Sequence, residues 1–246
     1  MPEPSFDAGL LSDWGRDLIA VAQRALEQEA QTVLEAARAV VERLAGGGRL
    51  LTFGAGHSWC LAAELCSRAG GLPQVVAMSL ADLGPPRDQW LQLADSGPER
   101  DLALAAPLLE HHRVTGLDAV IVISNSGRNQ AVVELARLAQ QKGCLVVALV
   151  SRAHLDAVDS RHPSSTKLTD WADLVLDNQG QPGDAALEIA PAVQAGATST
   201  LVGALLLQLL SCAAARLLAD QGGFDTIRSA NLDPMTGPAA SGRGAA

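Results

Sequence analysis

The first apolar pattern along the chain has the period of a helix. From Leu11 to Leu44 apolar positions recur three and four residues apart ("LIAVAQRALEQEAQTVLEAARAVVERLA"), and the run stops at the glycines of residues 46 to 48. One or two helices are therefore expected before the first strand. "RLLTFGAG" then reads as a buried strand closing in a glycine turn, "SWCLAAELCSRAG" as a helix with a glycine stop at Gly70, and "QVVAM" as a second strand. Residues 81 to 100, with Pro85, Pro86, Gly97 and Pro98, predict an irregular connection or lid, after which "ERDLALAAPLLEHHRV" resumes helical spacing. Strand "LDAVIVIS", helix "NQAVVELARLAQQKG", strand "CLVVALVS", a polar loop and strand "ADLVLDN" follow. Continuous Val, Ile and Leu runs alternating with helices predict an α/β fold whose parallel sheet is covered on both faces. After Asp177 a stretch rich in Gly, Pro, Asp and Gln predicts a loop, then a helix from about Ala195 to Ala219. No repeat or linker divides residues 1–246, so one domain is expected, with a flexible tail over 231–246.

Composition narrows the class. Nearly half of the 246 residues are hydrophobic (48%), enough to bury a substantial core. The apolar stretch "TLVGALLLQLLSCAAARLLA" is interrupted by Gln208 and Arg216 and reads as a buried helix rather than a membrane span. The acidic opening "MPEPSFDAGLLSDWGRD" has no basic region before an apolar core, which predicts a cytosolic protein. Cys60, Cys66, Cys144 and Cys212 form no CxxC pair and sit in apolar segments, as reduced, packed thiols do. A net charge of −9 argues against general nucleic-acid binding. An anionic ligand would have to be held by local geometry.

In open parallel sheets ligands bind beyond the carboxyl ends of the strands, so the turns "GAGHS", "SNSGRN" and "SRAH" should converge. Helix N-termini present unpaired N–H groups, and serine hydroxyls beside them make a phosphate cradle that needs little positive charge. A lone serine there is more often a helix cap. Two serines, Ser124 and Ser126, with Gly127 between strand and helix and a matching turn at Ser58, favour the cradle. A dinucleotide site at "GAG" is the weaker alternative, because Trp59 stands where the third glycine of that fingerprint belongs.

"GAGHS", "ISNSGRNQAVVELARLAQQKGCLVVALVS" and "QAGATSTLVGALLLQLL" resemble the sugar isomerase (SIS) domain family over about residues 15–219. "GHSWCLAAELCSRAGGLP", "RHPSSTKLTDWADLVLDN", "GDAALEI" and "SANLDP" are similar to an uncharacterised subgroup related to phosphoheptose isomerases. The resemblance implies a three-layer α/β/α sandwich with a five-stranded parallel sheet, preceded by N-terminal helices. It also implies a homodimer with sites at the subunit interface, with pairing into tetramers left open. The implied ligand is a sugar phosphate, held by Ser58, Ser124 and Ser126 together with Asn125 and Gly127 of the same turn. Asn129 stands where many members have Ser or Thr.

Aldose–ketose isomerisation needs a group that opens the sugar ring and a base that carries a proton between C1 and C2 through an enediol. Glu64, six residues past Ser58 on an otherwise apolar helix, is the favoured base, with pairing to Arg68 as the alternative. The resemblance implies a functional glutamate at that place. His57, inside the glycine turn, and His162 are candidates for ring opening. The loop "SRHPSSTKL" gathers His162, Ser165 and Lys167, a set that suits a loop closing over a charged sugar; a solvated loop is its alternative. Asn178 and Asp184 follow the last strand toward the same crevice, and Thr198 and Ser199, in a turn resembling that of muramic acid 6-phosphate etherases, open the final helix. The helix positions that phosphoheptose isomerases use for metal fall here on "AGATSTLVG", without imidazole or carboxylate, so no metal and no cofactor are expected. Two other activities stay open: an amino-sugar phosphate lyase or etherase, and a non-catalytic phosphosugar sensor.

Overall fold

The computed structural model describes residues 8–84, 97–222, 224–229 and 231. Most of the expected connection or lid (85–96) and the tail from 232 lie outside the described residues.

One helix, α1 (Ala8–Ala45), carries the whole N-terminal heptad-like pattern and ends where Gly47 turns the chain with a left-handed φ of 84°. Strands β1 (Leu50–Gly54), β2 (Val75–Met78), β3 (Ala119–Ile123), β4 (Leu145–Val150) and β5 (Leu174–Asp177) form one parallel sheet in the order β2-β1-β3-β4-β5. Helices α2 (Ser58–Glu64), α3 (Ala105–His111), α4 (Gln130–Gln141), α5 (Arg152–Asp156) and α6 (Ser199–Asp220) complete the layers.

Alternation along the central strands explains why both faces are apolar. Ala119, Ile121 and Ile123 of β3 pack with α1, α2 and α6, whereas Val120 and Val122 pack with α3, α4 and Leu155 of α5. The result is the expected three-layer sandwich. By length and composition α6 is apolar enough to cross a bilayer. In the fold, its Val202, Leu206, Leu207 and Leu210 are buried in the first of these two cores.

Four local readings are corrected. The region after Asp177 is not a plain loop: Ala185–Ala190 (β6) and Val193–Ala197 (β7) form an antiparallel hairpin, and α6 begins at Ser199 rather than near Ala195. Small residues on the hairpin gave little period-2 contrast, so composition masked the strands. Helix α2 ends at Glu64, and the stretch before α3 is a pair of 3-10 turns (Pro98–Arg100 and Leu102–Leu104).

At the sheet's amino edge the 2%-exposed Asp118 receives hydrogen bonds from the Arg49 backbone N–H (2.8 Å), the Arg49 guanidinium (2.9 and 3.2 Å) and the Thr115 N–H (2.9 Å). Burial pushes its carboxyl up, but these donors outweigh burial and hold it below the usual aspartate range. A depressed folded value means that the stabilisation is complete above the free aspartate pKa of about 3.9 and is lost as pH falls through the folded value. Asp118→Asn should therefore lower stability at neutral pH by about 2–3 kcal/mol and weaken the acid dependence, as read by urea unfolding at about pH 7 and pH 3.

Candidate functional site

Strands β1 and β3 lie side by side, yet their following helices pack on opposite faces of the sheet, α2 on one and α4 on the other. The two turns part at the carboxyl edge and leave a crevice at this switch in strand order. The β1 turn is tight enough that a Cβ on Gly54 would stand 2.3 Å from the Ser58 carbonyl oxygen, which only glycine allows. Gly127 plays the same part in the β3 turn, with φ 59° and the Leu155 side chain packed over its Cα.

The crevice holds a cavity of about 150 Å³ with Leu61, Ile123 and Leu149 in its walls and His57, Ser58, Asn125, Asn178, Asp184 and Ser199 supplying polar groups. All six of these polar residues were candidates from the sequence; Thr200, which also lines the cavity, was not. Asn178 is 3% exposed and fixed at both ends of its amide: Nδ2 donates to Asn125 Oδ1 (3.0 Å) and Oδ1 accepts from Gly180 N–H (2.9 Å). Asn125 Nδ2 in turn meets His154 Nδ1 at 3.3 Å. These contacts orient the amides as fixed dipoles at the cavity wall. Among the described residues the Ser58 hydroxyl and the exposed His57 ring make no hydrogen bond, so both are available to a ligand.

Asp184 takes a different role from a sugar contact. Held at φ 69°, it accepts from the N–H groups of Thr198 (3.1 Å) and Ser199 (2.8 Å) and from the Ser199 hydroxyl (2.6 Å). Its carboxylate thus caps α6 and engages the donors of Thr198 and Ser199 that the sequence offered to substrate.

The other named residues distribute around this centre. Ser124 Oγ accepts from Gly127 N–H (3.2 Å) and braces its own turn, whereas the half-buried Ser126 hydroxyl has no hydrogen bond among the described residues. Asn129 begins α4 without a side-chain cap, and its Oδ1 accepts from the Arg161 guanidinium (2.7 Å). Glu64 is not in the cavity wall: Gln208 Nε2 donates to it (3.1 Å) and Arg68 pairs with it (3.3 Å). His162 is 8% exposed, with Nε2 on Glu134 (3.1 Å) and Nδ1 on Ser164 (2.7 Å), so both ring nitrogens are engaged in packing the loop onto α4. Arg137 on the other side of Glu134, assisted by this histidine contact, holds that carboxyl below its usual range. Lys167 Nζ donates to the Leu155 carbonyl (2.6 Å), and Ser165 is exposed; neither lines the cavity. The expected closing loop is a stapled segment, because its polar groups find partners in the fold.

Besides Thr200, sequence reasoning passed over two groups near the crevice. His154 was in the quoted "SRAH" turn and is carried to Asn125 by α5, whose Ser151 cap accepts from its N–H (3.1 Å). Glu99 lies in the irregular segment before α3, where no periodicity marks it. It stands 4.0 Å from where a Cβ on Gly56 would be. Burial pushes its carboxyl up, against Asn129, Arg100 and Arg161, which draw it down. Among the described residues no three His, Cys, Asp or Glu side chains converge as a metal site.

The model of the SIS domain matches residues 13–151. The chain belongs to the SIS-domain family. It is 37% identical over 213 residues to a UPF0309 protein of Halalkalibacterium halodurans, covering 84% of this chain and 85% of the relative. With a UPF0309 protein of Streptomyces coelicolor it shares 37% identity over 239 residues, covering 92% and 89%. Among solved structures this SIS domain is similar to the Vibrio vulnificus NanR protein complexed with ManNAc-6P, at TM-score 0.55 and 16% identity over 88% of this chain and 65% of that one. It is also similar to phosphoheptose isomerase GmhA from Neisseria gonorrhoeae, at TM-score 0.53 and 17% identity over 83% and 97%. At these identities the structural likeness establishes the shared fold.

The capping role of Asp184 is testable apart from any ligand. Asp184→Ala should unseat the first turn of α6 and cost about 1–2 kcal/mol, a fall of roughly 2–8 °C in the thermal midpoint followed by circular dichroism. Asp184→Asn, which keeps an acceptor and tolerates the left-handed backbone, should recover part of that loss.

Proposed function

We propose that this SIS domain binds a sugar phosphate at the crevice between the β1 and β3 turns and isomerises it between aldose and ketose forms through an enediol. The observation that carries the reading is the cavity itself: uncharged hydroxyl and amide groups of Ser58, Asn125 and Asn178 line it, with the unengaged His57 ring beside them. Such hydroxyl and amide groups hydrogen-bond sugar hydroxyls as both donors and acceptors. Asp184 already fills the α6 end with a carboxylate, so the phosphate belongs at the opposite side, toward Ser126 and the start of α4. His57 then moves the ring-opening proton; Glu64, the base the sequence offered for C1 and C2, would have to leave Gln208 and Arg68 to reach the cavity. A sugar-phosphate-bound NanR and a phosphoheptose isomerase among the similar folds support the ligand class.

A second reading, a phosphosugar sensor, is favoured by Glu64, whose carboxylate is engaged by Gln208 and Arg68 instead of facing the cavity. Incubation with a panel of hexose, heptose and amino-sugar 6-phosphates in deuterated water separates the two. The isomerase should wash deuterium into C2 of one of them; binding without exchange on every bound sugar replaces it with the sensor. Ser58→Ala should weaken binding about tenfold, and His57→Gln should slow exchange about 10²- to 10⁴-fold with binding kept. Exchange undiminished in Glu64→Gln removes that residue from the reaction.

The reading includes a homodimer. Helices α1 and α6 leave a predominantly apolar groove of about 430 Å³ lined by Leu26, Ala30, Leu34, Leu209 and neighbours, and Leu26 (44%) and Leu34 (41%) are exposed along it. A second copy is the occupant that the family resemblance supplies. Sedimentation should show a dimer that Leu34→Glu converts to monomer; a wild-type monomer at micromolar concentration rejects this part.

A further inference from the structure

The protein carries a net charge of −9, yet three arginines meet where α4 begins. Arg128 sits in the β3 turn one residue before Asn129, the N-cap of α4. Arg161 reaches back from the stapled segment: its backbone N–H donates to the Arg128 carbonyl (3.0 Å), and its guanidinium donates to Asn129 Oδ1 (2.7 Å). Gln130 Nε2 donates to the Arg161 carbonyl (2.9 Å) and fixes that approach. Arg100 stands close enough to act on the Arg161 charge, as Arg128 does. Arg161 and Arg100 are exposed, so the group opens to solvent.

Two features separate this group from an ordinary solvated surface. Arg128 Nε is buried and has no hydrogen-bond partner among the described residues, although a guanidinium donor withdrawn from water ordinarily finds an acceptor. Glu99 is the carboxylate that faces the group, half-buried between the Gly56 turn, Asn129 and the guanidiniums of Arg100 and Arg161. Among the described residues Arg100 and Arg161 both act on this one carboxylate and Arg128 acts on Arg161, so three guanidiniums are grouped against a single negative charge. The planar guanidinium fork is suited to bidentate binding of phosphate oxygens.

We propose that Arg128 and Arg161, with Arg100 beside them, form the receiving site for an oxyanion, the phosphate of the ligand, and that Glu99 is the resident counter-ion this phosphate displaces. The ligand's identity as a sugar phosphate rests on the function proposed above; the anion site rests on these residues alone. It gives the departure at Asn129 a reason. Where the turn lacks a hydroxyl, an amide orients a guanidinium, and the anion is held by charge as well as by Ser126. The Gly54–His57 turn is shared by both halves of the site: Gly56 borders Glu99, while His57 and Ser58 face the sugar cavity.

Phosphorus NMR titration of the full chain tests the assignment, with inorganic phosphate and the sugar-phosphate panel as probes. Arg161→Met and Arg128→Met should each weaken inorganic phosphate about tenfold or more, Arg161→Lys should recover part of the loss, and Glu99→Gln should tighten phosphate severalfold. Thermal melting of each variant separates a lost site from a lost fold. Wild-type protein that takes up no inorganic phosphate at millimolar concentration, or folded arginine variants that bind as wild type does, overturns the inference. So does a Glu99→Gln protein that binds more weakly. Arginine-dependent binding of inorganic phosphate with no sugar phosphate bound leaves the site standing and removes the sugar-phosphate reading. Sugar-phosphate binding that falls in Ser58→Ala and is unchanged in Arg161→Met does the reverse.

Discussion

The reversal of strand order between β1 and β3 is the constraint on which the rest of this molecule depends. Two neighbouring parallel strands must send their next helices to opposite faces, since each right-handed crossover packs on the side its own direction dictates. Their turns then cannot close against each other, and a cavity forms at the one edge where backbone N–H groups, hydroxyls and amides are also concentrated. Gly54 and Gly127 serve this geometry directly, one by admitting the Ser58 backbone and the other by turning the chain through a left-handed conformation.

The polar groups around that edge are arranged less by exposure than by which partner reaches them first. Asp184 folds back onto α6 because the first N–H groups of a long helix have no internal acceptors. His162 is drawn onto Glu134, and His112 onto Asp82 at 2.8 Å, so two histidines serve to fasten connecting segments to helices. The Cys144 thiol, pushed up to about 11 by burial and by Asp118, donates to the Thr115 carbonyl and is chemically quiet. Among the described residues, groups left without a hydrogen bond near the crevice include His57, Ser58 and Ser126, and at the start of α4 a guanidinium nitrogen of Arg128.

Charge is organised on the same local scale. An acidic chain repels anions at long range, so recognition of one depends on short-range donors and on a positive group sheltered from the global field. The α6 terminus is neutralised by Asp184, while among the described residues the α4 terminus is flanked by Arg128 and Arg161, with Arg100 and Glu99 acting on Arg161. The two helix termini thus carry opposite local charge.

The amino-acid sequence by itself determined the layers and the turns that end the strands. Period-2 and period-3.6 patterns are set by which side of an element meets the core, and that information is local, so the five parallel strands and their turns were legible from Leu50 to Asp177. The serine-glycine turn was legible for the same reason: its conformation and its donors belong to consecutive residues. The hairpin of β6 and β7 was not, because small residues on a two-stranded ribbon leave no hydrophobic alternation to read. Only the tertiary structure decided which polar residues stay available. Glu64 finds Gln208 across 144 positions of chain, Asn129 finds Arg161 across 32, and Glu99 reaches the glycine turn from a segment without pattern. A side chain's function depends on partners brought from distant sequence, and no local period records them.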